Sequence, residues 1–199
     1  MAGSSGCGKS SLMLTIVKAG LECMTRLPRR IILFHAHAQG AYEELKAVAP
    51  CPVKTVLGGP SEDLVTQPGS LLIIDDLQGT HSHVIREWFT RKSHHFDTSI
   101  AYLVQNVFDK TVHHRTISLN STYIILFKNP RDTSQVMHLD KQVCPNSNGR
   151  LTRAYKDVTK GKPYAYILID FIQSTPDELL IRSTLFPQRD FPNAYVYPT

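Results

Sequence analysis

Residues 3–10 of the chain read GSSGCGKS, the pattern G-x-x-x-x-G-K-S. Glycines so spaced let successive backbone N–H groups curl around phosphate oxygens, the lysine reaches the β- and γ-phosphates, and the hydroxyl after it suits Mg²⁺. Gly3, Ser4, Ser5, Gly6, Cys7, Gly8, Lys9, Ser10 and Ser11 are therefore the candidate nucleotide-binding residues. Two acids, Asp75 and Asp76, close the apolar run LLII. Beside a phosphate loop, the first acid and Ser10 would hold the Mg²⁺ shell, and the second would orient or deprotonate an attacking water. Gln105 ends another apolar run, AYLV, where a polar side chain can meet the γ-phosphate or that water. Each signal has a plainer reading alone: a flexible Gly/Ser-rich terminus for the first, turns at strand ends for the others. Their order along one chain favours the chemical reading.

That chemistry needs a helix after the loop and strands that end level with it. Leu12, Met13, Ile16, Val17 and Leu21 form an apolar stripe at helical spacing directly after Lys9. The runs at 31–35 (IILFH), 53–57 (VKTVL), 70–77 (SLLIIDDL), 99–106 (SIAYLVQN), 121–127 (STYIILF) and 164–171 (YAYILIDF) read as strands. Helices are expected at 41–48 and over 80–92, where Val84, Ile85, Trp88 and Phe89 share a face. Two more are expected at 133–143, capped by Asp132, and 149–158, capped by Asn148. Strands alternating with helices imply an α/β fold, a mostly parallel sheet with helices on both faces.

With 199 residues, 42% of them hydrophobic and 20% charged, the chain is long enough for one such domain, expected to span residues 1–199. The net charge of +5 is compatible with anionic partners but does not require them. Cys7, Cys23, Cys51 and Cys144 lack C-x-x-C spacing and read as thiols of a reducing compartment. Apolar runs such as 71–74 fall far short of a membrane span, so a soluble intracellular protein without a membrane partner is expected. The nine histidines lack Cys or acid partners at ligand spacing and read as surface or structural residues.

The segments IIDDL, FTRKSHHFDTSIAYLVQNVF, RTISLNSTYIILFKNPRD and YILIDFIQSTPDELLIRSTLF are more specific than a generic nucleotide motif. Together they resemble the genome-packaging ATPases of eukaryotic double-stranded DNA viruses and of Maverick/Polinton elements, including adintovirus-type sequences, within the FtsK/HerA superfamily of P-loop NTPases. The resemblance runs from the phosphate loop nearly to the C-terminus. It implies an additional-strand P-loop fold, nucleotide contacts at Gly8, Lys9 and Ser10, metal and water roles at Asp75 and Asp76, and a sensor role at Gln105. It also implies ATP and Mg²⁺ as cofactors and a ring homo-oligomer that draws double-stranded DNA through a channel without reading its sequence. Viral capsid or portal components would be further partners, and virion assembly in host nucleus or cytoplasm the setting. Many relatives carry Glu where this chain has Asp76. Relatives also place a hydrophobic strand before the loop, between the strands bearing the two acids and the sensor. Met1 and Ala2 cannot form it, so the chain reads as N-terminally truncated, with the strand expected upstream.

A ring motor needs an arginine supplied across the subunit boundary. Arg115 and Arg131 are the candidates, each alternatively a surface residue pairing with a nearby acid, Asp132 in the second case. Asn120 is either a turn residue or a nucleotide-proximal group. Arg150, Arg153, Lys156, Lys160 and Lys162 surround one acid, Asp157; they could track phosphates with Tyr155 beside them, or be a solvated face. The expected activity is Mg²⁺-dependent ATP hydrolysis driving DNA movement. A small-molecule kinase and a non-catalytic remnant that binds nucleotide or DNA are the alternatives.

Overall fold

A computed structural model describes residues 1–20, 24–77, 79, 81–108 and 112–186. Leu21, Cys23 and Thr80 lie outside the described residues. The chain is α/β and divides into two compact units, one of residues 9–120 and one of residues 1–8 with the described residues from 121 onward.

In the first unit, helix α1 (Lys9–Ala19) buries Leu12, Met13 and Val17. Strand β1 (Arg30–His35), helix α2 (Gly40–Val48) and strand β2 (Val53–Leu57) follow. Then come β3 (Ser70–Asp75), α3 (Ser82–Glu87), a wide π-helical turn at Trp88–Lys92, the short α4 (Ser93–His95), β4 (Thr98–Leu103) and α5 (Val112–Leu119). The strands form one parallel sheet in the order β2-β1-β3-β4. Every residue of β3 is buried, which accounts for its run of apolar side chains. The register levels the strand ends: His35 of β1 pairs with Asp75 of β3, and Asp75 with Leu103 of β4. Asp76 and Gln105 therefore emerge just past one common edge, where open parallel sheets bind ligands.

Strand β3 pairs directly with β4 across six residues, from Ser70 with Thr98 to Asp75 with Leu103. This corrects the expectation of a strand between the carriers of Asp75 and Gln105, because ladder pairing leaves no space for one.

The second unit contains β5 (Tyr123–Phe127), α6 (Ser134–Val143), α7 (Arg150–Thr159), β6 (Tyr166–Asp170) and the short β7 (Ile181–Arg182). Its sheet, β5-β6-β7, is antiparallel, so the last two expected strands do not extend the parallel sheet. Continuous apolar runs report burial, not strand direction. Ile124, Ile125 and Leu126 pair with Ile169, Leu168 and Ile167, and these six residues are all buried, so the usual in-out alternation disappears there. Ala2 makes a single parallel bridge to Leu126, through Ala2 N–H to the Ile125 carbonyl at 2.8 Å and Phe127 N–H to the Ala2 carbonyl at 2.9 Å.

The two expected helix caps differ in outcome. Asp132 accepts the Ser134 hydroxyl, the Gln135 side-chain amide at 2.8 Å and the Ser134 backbone N–H at 3.0 Å, and these bonds, the hydroxyl's first, hold its carboxyl below the usual range. Asn148 does not cap α7. It and Gly149 both adopt left-handed backbone, φ 50° and 81°, whereas a capping residue is normally extended. Asp140 of α6 replaces it, accepting the Leu151 and Thr152 N–H groups at 3.1 Å each and the Thr152 hydroxyl at 2.6 Å. A buried carboxylate at a helix N-terminus is stabilised by both the bonds and the helix dipole. Asp140→Ala is expected to lower stability by about 2 kcal/mol, a fall in Tm of about 4–8 °C for a chain of this size. Thermal denaturation checks it.

Candidate functional site

The loop at residues 3–8 shows why its glycines are needed. A Cβ at Gly3 would fall 2.7 Å from both Cys7 Sγ and Phe127 Cβ, and Gly8 has φ 103°, closed to ordinary side chains. Cys7 is buried in the same unit, and its backbone N–H closes a turn onto the Ser4 carbonyl at 3.3 Å. Ser5 and Gly6 are exposed. Helix α1 begins at Lys9, as a phosphate loop requires.

Within the parallel-sheet unit, residues far apart in sequence converge at the sheet edge. The Ser10 hydroxyl donates to Asp75 Oδ2 at 3.0 Å across 65 positions. The Tyr42 hydroxyl, from α2, donates to the same oxygen at 3.1 Å. Asp75 is 3% exposed and lines one cavity with Met13, Leu33, Leu45, Ile73 and Leu103. Burial pushes its carboxyl up from the usual range, against the pull of the Ser10 and Tyr42 bonds and the Lys9 charge. Burial and the Asp75 charge push the Tyr42 phenol up as well.

Asp76 contrasts with its neighbour. It is exposed, has φ 54°, and its N–H bonds the Leu103 carbonyl at 3.2 Å. The Gln105 amide donates to Asp76 Oδ1 at 3.0 Å. Left-handed backbone favours Asp and Asn over longer side chains because a short polar group bonds locally. That gives a physical reason for Asp at a position where Glu was anticipated by resemblance.

Lys9, Ser10, Asp75, Asp76 and Gln105 thus belong to one cluster. Ser11 is exposed on α1, its carbonyl accepting the Thr15 hydroxyl at 2.9 Å. Arg115 is exposed on α5, and no described hydrogen bond joins it to the carboxylates. Arg131 is exposed in the turn before α6, and the Asp132 carboxylate is occupied by Ser134 and Gln135 rather than by this arginine. Asn120 follows α5, its side-chain amide donating to the Thr116 carbonyl at 2.8 Å, a turn-forming role.

The basic stretch needs a correction. Arg150 is buried and donates to the Asp177 carbonyl at 2.9 Å, and Tyr155 is buried with its hydroxyl on the Phe127 carbonyl at 3.0 Å. Neither belongs to an exposed phosphate-tracking face. Helix α7 turns that side toward β5 and β6 because Leu151, Ala154 and Val158 are its buried stripe. Arg153, Lys156, Lys160 and Lys162 are the exposed cations, with Tyr164 beyond them.

Sequence reasoning passed over Tyr42 and His35. The ring of His35 lies 4.9 Å from that of Tyr42 and the residue is 7% exposed. The available signals were a histidine closing the strand beside the acidic one and a tyrosine on the apolar face of the following helix.

The donor set fits a hard divalent cation. A hydroxyl and a buried carboxylate meet at the sheet edge, and a carboxyl shifted up by burial is one that a cation would relieve. Among the described residues no group of three or more His, Cys, Asp or Glu could hold a metal. A hydroxyl and one buried carboxylate would suit a cation that draws the rest of its shell from phosphates and water, as Mg²⁺ does. Among the described residues no helix is long and apolar enough to cross a membrane. Comparison with protein families, with curated proteins and with solved structures returned no match.

Proposed function

We propose that the chain is a Mg²⁺-dependent P-loop ATPase of the additional-strand type that moves double-stranded DNA, in the manner of the viral and Maverick/Polinton packaging motors it resembles. The observation that carries this reading is the Ser10 to Asp75 hydrogen bond, which unites the phosphate-loop hydroxyl with the first strand-end acid. Mg²⁺ held by Ser10 and Asp75 would neutralise charge on the β- and γ-phosphates. Lys9 adds a positive charge near Asp75 and, by the logic of its motif, binds the phosphates. Asp76, exposed and oriented by Gln105, accepts the proton of the attacking water. Gln105 is the group through which the state of the γ-phosphate reaches β4 and the loop after it. A ring homo-oligomer would bring Arg115 or Arg131 to the neighbouring subunit's nucleotide.

The DNA-moving part rests on the resemblance and on the exposed cations of α7 and the turn after it. The experiment is ATP turnover with and without double-stranded DNA, alongside oligomer size. DNA-stimulated turnover in a multimer supports the motor. Phosphate transfer to a small acceptor indicates a kinase, and nucleotide binding without turnover a non-catalytic remnant.

A prediction refines the DNA contact. Replacing Arg153, Lys156 and Lys160 with Gln is expected to weaken binding to all duplexes alike. Each lost phosphate contact should flatten the slope of log affinity against log salt by about 0.9. Arg150→Ala is expected to lower Tm and leave that slope intact, because its guanidinium serves the fold. An unchanged slope in the triple variant places those three cations on a merely solvated face.

A further inference from the structure

Asp75 is held from three elements, and the phosphate-loop chemistry uses only two of them. The third is α2, through Tyr42. Burying a phenol hydroxyl is unfavourable unless it is bonded, and a Phe would fill the same space without that cost. Tyr42 is 5% exposed and spends its hydroxyl on Asp75 Oδ2, the oxygen that also accepts Ser10 Oγ. Among the described residues no hydrogen bond ends on Asp75 Oδ1. Two donors on one oxygen fix the rotation of the carboxylate about its Cβ–Cγ bond.

The ring that carries the hydroxyl is itself fixed. It packs against His35, whose strand position is in register with Asp75, and Leu45 one turn along α2 is buried beside the same cluster. We propose that Tyr42 is a positioning residue for the divalent cation. It keeps Asp75 Oδ2 engaged and presents Oδ1 to the cation or its waters. Ser10 must turn its hydroxyl oxygen to a bound cation, and its hold on the carboxylate then changes. Tyr42, standing on a different element, keeps the carboxylate from rotating when that happens. The inference rests on the reading that Ser10 and Asp75 hold the cation.

The test uses the full chain, a non-hydrolysable ATP analogue and Mn²⁺ as the probe, with bound Mn²⁺ read by electron paramagnetic resonance. Tyr42→Phe keeps the ring and removes the hydroxyl. It is expected to weaken Mn²⁺ binding about ten-fold, the usual effect of losing an outer-shell partner, while metal-free nucleotide affinity stays at the parent level. Leu45→Ala is the control, since it loosens α2 without touching the hydroxyl, and it is expected to lower Tm with Mn²⁺ affinity retained. Unchanged Mn²⁺ affinity in Tyr42→Phe overturns the positioning role. An equal loss in Leu45→Ala also overturns it, because the effect would then be packing. A parent chain that binds nucleotide but no Mn²⁺ overturns the metal reading itself, and this inference with it.

Discussion

Asp76→Asn is expected to lower ATP turnover by about 10²–10⁴-fold, the contribution typical of a positioned general base, with ATP affinity unchanged. The substitution is unusually clean at this position. Asn tolerates the left-handed backbone that Asp76 adopts, and its side-chain oxygen can still accept from Gln105. What is lost is the basic carboxylate, together with its charge. Lys9→Ala is expected to do the reverse, losing nucleotide affinity before any question of turnover arises, because in the proposed reading its charge serves phosphate rather than water. Single-turnover hydrolysis with bound ATP separates the two effects. Equal turnover in Asp76→Asn and the parent removes Asp76 from the role of base.

The same geometry explains which parts of the site could be read from sequence. Lys9, Ser10, Asp75, Asp76 and Gln105 were legible because each stands at the end of an element whose apolar pattern is plain. Parallel register then levels those ends without further information. Tyr42 was not legible. Its stripe on α2 with Leu45 is what any buried tyrosine would show, and only the three-dimensional approach to Asp75 separates the two cases. The strand at 166–170 was found, but its direction was not, since burial on both sides erases the alternation that would distinguish antiparallel pairing. Helix α5 was missed because His113, His114 and Arg115 interrupt its apolar pattern, although His114 and Ile117 are buried. Asn148 was a reasonable cap by residue type. Asp140 displaced it through a tertiary approach that local sequence does not encode.

Asp75 is a buried carboxylate, and Asp75→Asn is expected to raise the Tm of the metal-free chain at neutral pH. The carboxylate is 3% exposed, and burial outweighs the Ser10 and Tyr42 bonds and the Lys9 charge, so its pKa lies above the unfolded value. The sign follows from linkage. A raised folded pKa means the folded chain prefers the protonated acid, so this contribution is fully present below the unfolded value of about 4 and is lost as pH rises through the folded pKa. The Tm difference between Asp75→Asn and the parent should accordingly grow as pH rises from about 4 and level off above the folded pKa. Each kcal/mol would read as about 2–4 °C. Added Mg²⁺ and nucleotide should reverse the order, since only the parent retains a carboxylate for the cation and binding stabilises the form that binds. A Tm difference that is flat with pH would mean the buried carboxylate costs the fold nothing. A difference that grows with pH but does not reverse on adding Mg²⁺ and nucleotide would mean the strain at Asp75 is not relieved by a cation.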